Sequence, residues 1–68
     1  MNTRNIQVGD EISGWVYNIN ERGSELVTGK VIEIKPYDDD WSYIVRDNKT
    51  GYTESIDERK IVKHIAQI

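Results

Sequence analysis

Residues 26 to 35 read LVTGKVIEIK. Val, Thr and Ile dominate the stretch, and their branched, stiff side chains suit a pleated surface better than a helix. It is read as a β-strand, Leu26 to Lys35. Gly29 in its interior signals a bend or bulge. Pro36 lacks an N–H for the ladder and is expected to end the strand.

The flanking segments repeat the pattern. Glu11 to Tyr17 alternates Ile12, Gly14 and Val16 with Ser13, Trp15 and Tyr17, a period of two with an aliphatic and an aromatic face. The polar run NINERGSE, Asn18 to Glu25, reads as a loop, and Asp38 to Asp40 as the tip of the next connection. Trp41 to Arg46 reads as a third strand with Trp41, Tyr43 and Val45 on one face. DNKTG, 47 to 51, reads as a hairpin loop whose last residue suits a positive φ. Tyr52 to Ile56 reads as a fourth strand. In the tail, Ser55 and Glu58 have capping-box spacing, and Ile61, Ile65 and Ile68 fit one helix face. The β-branched run KIVKHI argues instead for a tight turn at Asp57 to Lys60 followed by a fifth strand to about Ile65. The strand is the favoured reading, with a C-terminal helix as the alternative.

Length and composition bound what such a chain can do. Its 68 residues make one domain, and a chain of that size buries only about 60% of its unfolded surface. With no Cys, neither a disulfide nor a thiolate metal site can add stability. Aromatic and β-branched residues run throughout, which argues against disorder. No apolar run approaches the roughly 20 residues that span a bilayer. The polar segment Met1 to Asn5 has no signal-peptide core, so a cytoplasmic location and no membrane partner are expected. The net charge of −3 disfavours nucleic acid, because phosphate contacts require a basic surplus.

VGDEI, TGKVIEI, YIVRDNKTGYTESI and RKIVKHI together resemble the SH3-like barrel superfamily, and within it the small KOW-like and SH3-like proteins of bacteria and their phages. The resemblance spans about Val8 to Ile65. It implies an all-β fold: a small five-stranded SH3-like barrel with a short helical turn before the last strand. It carries no activity with it. The ALYDY-type motif of proline-peptide-binding SH3 domains is missing, and the chain is acidic where KOW domains are usually basic. By analogy, a short, acidic chain suits a phage or prophage accessory protein that binds a host factor.

Enzyme chemistry is not expected. No Ser lies in a Gly-x-Ser-x-Gly setting, and His64, the single histidine, reads as a surface residue of the last strand. Paired carboxylates would need a substrate cleft, and a barrel this small is filled by its own side chains. The run Asp38, Asp39, Asp40 lacks the graded oxygens and turn Gly of a calcium loop, so no metal or other cofactor is expected. A charged tip beside a strand end also discourages edge-to-edge aggregation.

The aromatics are the strongest functional signal: two Trp, four Tyr and no Phe. Such side chains are favoured where one end stays wet, and they are enriched at binding hot spots. If Ile12, Val16, Val31, Ile34, Val45, Ile56 and Ile61 fill the core, then Trp15, Tyr17, Tyr37, Trp41 and Tyr52 are free to form a protein-binding face. Asp38, Asp39 and Asp40 would form its acidic rim. The resemblance places ligands there, between the first loop and the acidic loop. The competing reading gives Trp41 and Tyr43 to the core and has Trp15 cover its open end. A second function class rests on the basic residues Lys30, Lys35, Arg46, Arg59, Lys60 and Lys63 as a nucleic-acid surface. A third is a self-associating structural subunit that pairs through a sheet edge.

Overall fold

In the computed structural model, the alternating segments form five antiparallel strands of one sheet, ordered β4-β3-β2-β1-β5. They are β1 Glu11–Asn18, β2 Gly23–Tyr37, β3 Asp40–Asp47, β4 Thr53–Asp57 and β5 Ile61–Ile65, with a 3-10 turn, Glu58–Lys60, between β4 and β5. The structure describes residues 5–18, 23–37 and 40–66. The turn and the fifth strand stand where the β-branched tail placed them, and Ile61–Ile65 is not helical. The sheet is not closed. β4 and β5 are its two edges, so an expectation of a closed barrel is met only as an all-β, rolled sheet.

The roll depends on β2. Its first part pairs with β1 and its second with β3, and only around Gly29 and Lys30 does it carry both neighbours. Ile12, Gly29 and Asp47 lie in one register row there. A side chain at Gly29 would collide with the carbonyl of Arg46, so the glycine serves close backbone approach. The bulge itself lies further on, at Ile32, where the register shifts between Val31 and Glu33. Pro36 does not end β2; it pairs with Trp41. Past Lys30 the strand has lost β1 as a neighbour, and a strand with one partner tolerates a missing donor. β2 also starts earlier than expected: Gly23, Ser24 and Glu25 are ladder partners of Asn18, Tyr17 and Val16, not loop.

The core consists of Ile6, Ile12, Val27, Val31, Tyr43, Val45, Ile56 and Ile61, with Val16, Ile34 and Trp41 packed against it. Sequence alternation missed Ile6 and Val27, whereas Tyr43 lies in the core beside Val45, as the competing reading had it. The Tyr43 ring is fully buried because its hydroxyl donates to Glu58 Oε1 at 2.6 Å, which ties the 3-10 turn to β3. Ile6 reaches the core because residues 7–10 fold back onto β2: Gly9 N donates to the Val31 carbonyl and Val31 N to that of Asp10. At the other end of β1, Gly14 is the small residue that lets β1 lie against Ile56 and the Lys60 carbonyl. The 47–51 loop is a hairpin as expected, with Gly51 at φ 79° and Lys49 N donating to Asp47 Oδ1.

Candidate functional site

Alternation along β1 sends Ile12 and Gly14 to the core side and Ser13, Trp15 and Tyr17 to the other, where Ser13 is itself buried and Trp15 and Tyr17 are exposed. On β2 the outward partners, in register, are Thr28, Leu26 and Ser24. Ser13 Oγ and Thr28 Oγ1 share a hydrogen bond of 2.7 Å and form a small polar base. Beside it Trp15 and Leu26 stand directly opposite each other, 44% and 49% exposed, with Tyr17 at 64% one row further. Val62, the residue bulged out of the β1–β5 ladder, is also exposed. These side chains make an apolar, aromatic-bearing strip on the outer surface. Leu26 also borders a groove of about 320 Å³ lined by Thr28, Asp47, Asn48 and Lys49.

The expected single aromatic face does not assemble. Trp41 lies on the inner side of β3 with Tyr43 and Val45, half-buried against the core. It is therefore on the opposite side of the sheet from Trp15 and Tyr17, because β3 alternates and its buried residues fix the parity. Tyr52 is highly exposed but sits after the β3–β4 turn, at the other end of β3 from Trp41. The backbone of Tyr37 pairs with Asp40. Asp40 is half-buried, and its Oδ1 accepts the Trp41 N–H at 2.8 Å. Asp38 and Asp39 lie outside the described residues. Leu26 is the member that sequence reasoning missed. Its signal was parity with Val27: if Val27 faces the core, Leu26 must face out.

The basic residues divide in the same way. Lys30 and Arg46 are neighbours across β2 and β3, and Lys35 shares their outer face. Each has an acidic or carbonyl neighbour. Glu11 stands opposite Lys30, Glu33 lies 3.9 Å from the Lys35 ammonium, and Arg46 Nη1 donates to the Gly51 carbonyl. Arg59 and Lys60 are exposed in the 3-10 turn, and Lys63 is exposed on β5. A groove of about 440 Å³ on the outer side of β3 involves Lys35, Pro36, Ser42, Ile44, Ser55 and Asp57. Ser42 donates to Asp57 there, so part of its polar lining is engaged internally.

His64 is not a plain surface residue. Its side chain is 19% exposed, and Nε2 lies 2.8 Å from Oδ2 of buried Asp10, which also accepts from Gln7 N. The pair fastens β5 to the turn before β1. Among the described residues no group of three His, Asp or Glu side chains is placed to hold a metal ion, and no helix is long and apolar enough to cross a membrane. Comparisons of the chain with protein-family models, with curated proteins and with solved structures find no match.

Proposed function

We propose that this chain is a non-enzymatic protein-interaction module on a small SH3-like barrel, and that its partner docks on the outer face of β1 and β2. The strand order, the long β2 shared by both halves of the sheet and the 3-10 turn before the last strand support the barrel reading. The observation that carries the function is the Trp15–Leu26 pair. Two large apolar side chains stand side by side in register and half exposed, with Tyr17 next to them. A core has no use for them there, and contiguous exposed apolar surface marks interaction sites. Tryptophan and tyrosine are the residues most often found to dominate binding energy. The acidic rim is not part of this face: Asp40 lies at the far end of β2 from Leu26.

Affinity capture from lysate with the wild-type chain and with Trp15→Ala tests the reading. A hot-spot residue contributes about 2 kcal/mol or more, so the captured partner should bind the variant about thirtyfold more weakly. Trp15 is only half buried and loses one cross-strand pair with Leu26, so unfolding free energy should fall by about 1 kcal/mol or less and the variant should stay folded. Capture unaffected by Trp15→Ala, but lost on Lys30→Glu and steeply weakened by salt, would transfer the site to the basic residues and overturn the proposal.

A further inference from the structure

Strand β5 is shorter than β1. It pairs only with Glu11 to Gly14 and begins at Ile61, opposite Gly14. Beyond Gly14, β1 continues as Trp15, Val16, Tyr17 and Asn18. This stretch is paired with β2 on one side and, among the described residues, with no strand on the other. Alternate residues of an antiparallel strand direct their N–H and C=O groups to opposite sides. The stretch therefore offers ladder groups to a vacant lane, flanked by the exposed Trp15 and Tyr17 side chains. A free edge beside apolar side chains is a template for strand addition.

The lane is closed at one end. Gly14 is packed against Ile61 and the Lys60 carbonyl, so an entering strand must stop at the 3-10 turn, where Arg59 and Lys60 are exposed. Direction then decides what meets them. β5 is antiparallel to β1, so a strand added antiparallel to Trp15–Asn18 runs the way β5 does, and its C-terminal end arrives at the turn. We propose that this lane takes the extended C-terminal segment of a partner protein, with its free carboxylate against Arg59 and Lys60 and alternate apolar side chains beside Trp15 and Tyr17. The inference rests on the outer-face reading above and specifies the partner's form. One register of self-association is closed to a second copy of the chain. Self-pairing centred on Val16 sets Asn18 of one copy beside Gly14 of the other, where Ile61 already sits.

The test uses the full chain and a displayed library of random octapeptides with free C-termini. Selected peptides are then synthesised as the free acid, as the C-terminal amide and with alternate backbone nitrogens methylated. The proposal expects free-acid peptides that shift the amide resonances of Trp15 to Asn18. It expects binding about tenfold weaker for the amide or against Lys60→Glu, because a charge-assisted contact is lost, and no binding for the methylated form. Failure to select any peptide, or peptides that bind equally as amide and methylated forms, would overturn it. If such peptides still lose binding to Trp15→Ala, the outer-face reading survives. If they do not, both readings fall. Displacement by octathymidylate with a steep salt dependence would assign the basic turn to phosphate instead.

Discussion

Gly29→Ala is expected to abolish the native fold. A Cβ at this position would lie 2.1 Å from the Arg46 carbonyl oxygen and 2.7 Å from its carbon. Both are backbone atoms of β3, so no rotamer change can relieve the conflict. Overpacking costs about 1–3 kcal/mol where neighbours can shift. Here the shift must come from the one row in which β2 holds β1 and β3 together. A domain of this size has only a few kcal/mol to lose, on the order of 3–5. Gly14→Ala provides the comparison. Its nearest obstacle, at 2.4 Å, is Ile56 Cγ2, a side-chain atom, and the Lys60 oxygen lies at 3.0 Å. That variant should fold with a loss of about 1–3 kcal/mol. Far-ultraviolet circular dichroism through a thermal ramp distinguishes the two. A Gly29→Ala protein that melts cooperatively near the wild-type temperature would contradict the account of β2.

Tyr43→Ala should be equally damaging for a different reason. Tyr43 is fully buried between Ile34 and Ile56 in the ladder. Emptying a large aromatic site costs about 3–5 kcal/mol, comparable with the whole stability of so small a domain. Tyr43→Phe isolates the hydroxyl. It keeps the ring but removes the donor to the buried Glu58 carboxylate, at a cost of about 1–3 kcal/mol. Urea denaturation should then show Tyr43→Phe with a lower midpoint and an unchanged slope, and Tyr43→Ala largely unfolded without urea. A midpoint for Tyr43→Phe equal to wild type would mean that the Tyr43–Glu58 bond does not anchor the 3-10 turn.

The strands were legible because their signals are local. LVTGKVIEIK, the alternation of Ile12, Gly14 and Val16, and the DNKTG loop each declare themselves within a few residues. What was not legible depends on contacts between distant segments. The bulge at Ile32 changes the parity of β2 midway, so no single period reads Val31 and Ile34 to the same side. Ile6 lies outside any strand and is buried because Gly9 and Asp10, just after it, exchange hydrogen bonds with Val31. Pro36 survives in β2 because β1 has already left it. The site was legible by residue type and not by grouping. Trp15 and Tyr17 were identified, but their separation from Trp41 follows from which side of β3 packs on the core. Parity with Val27 could have turned Leu26 outward, but its place opposite Trp15 follows from the β1–β2 register, which the sequence of the intervening loop does not specify.

The two tryptophans stand on opposite sides of the sheet, Trp15 exposed on the outer face and Trp41 packed against the core. Acrylamide quenching of two single-tryptophan proteins, Trp41→Phe and Trp15→Phe, tests this placement most directly, with circular dichroism confirming that both are folded. Trp15 should emit as a wet indole and quench several times more readily than Trp41, whose emission should be shifted to the blue. Equal protection of both, or easier quenching of Trp41, would contradict the placement of the outer face and remove the basis for binding there.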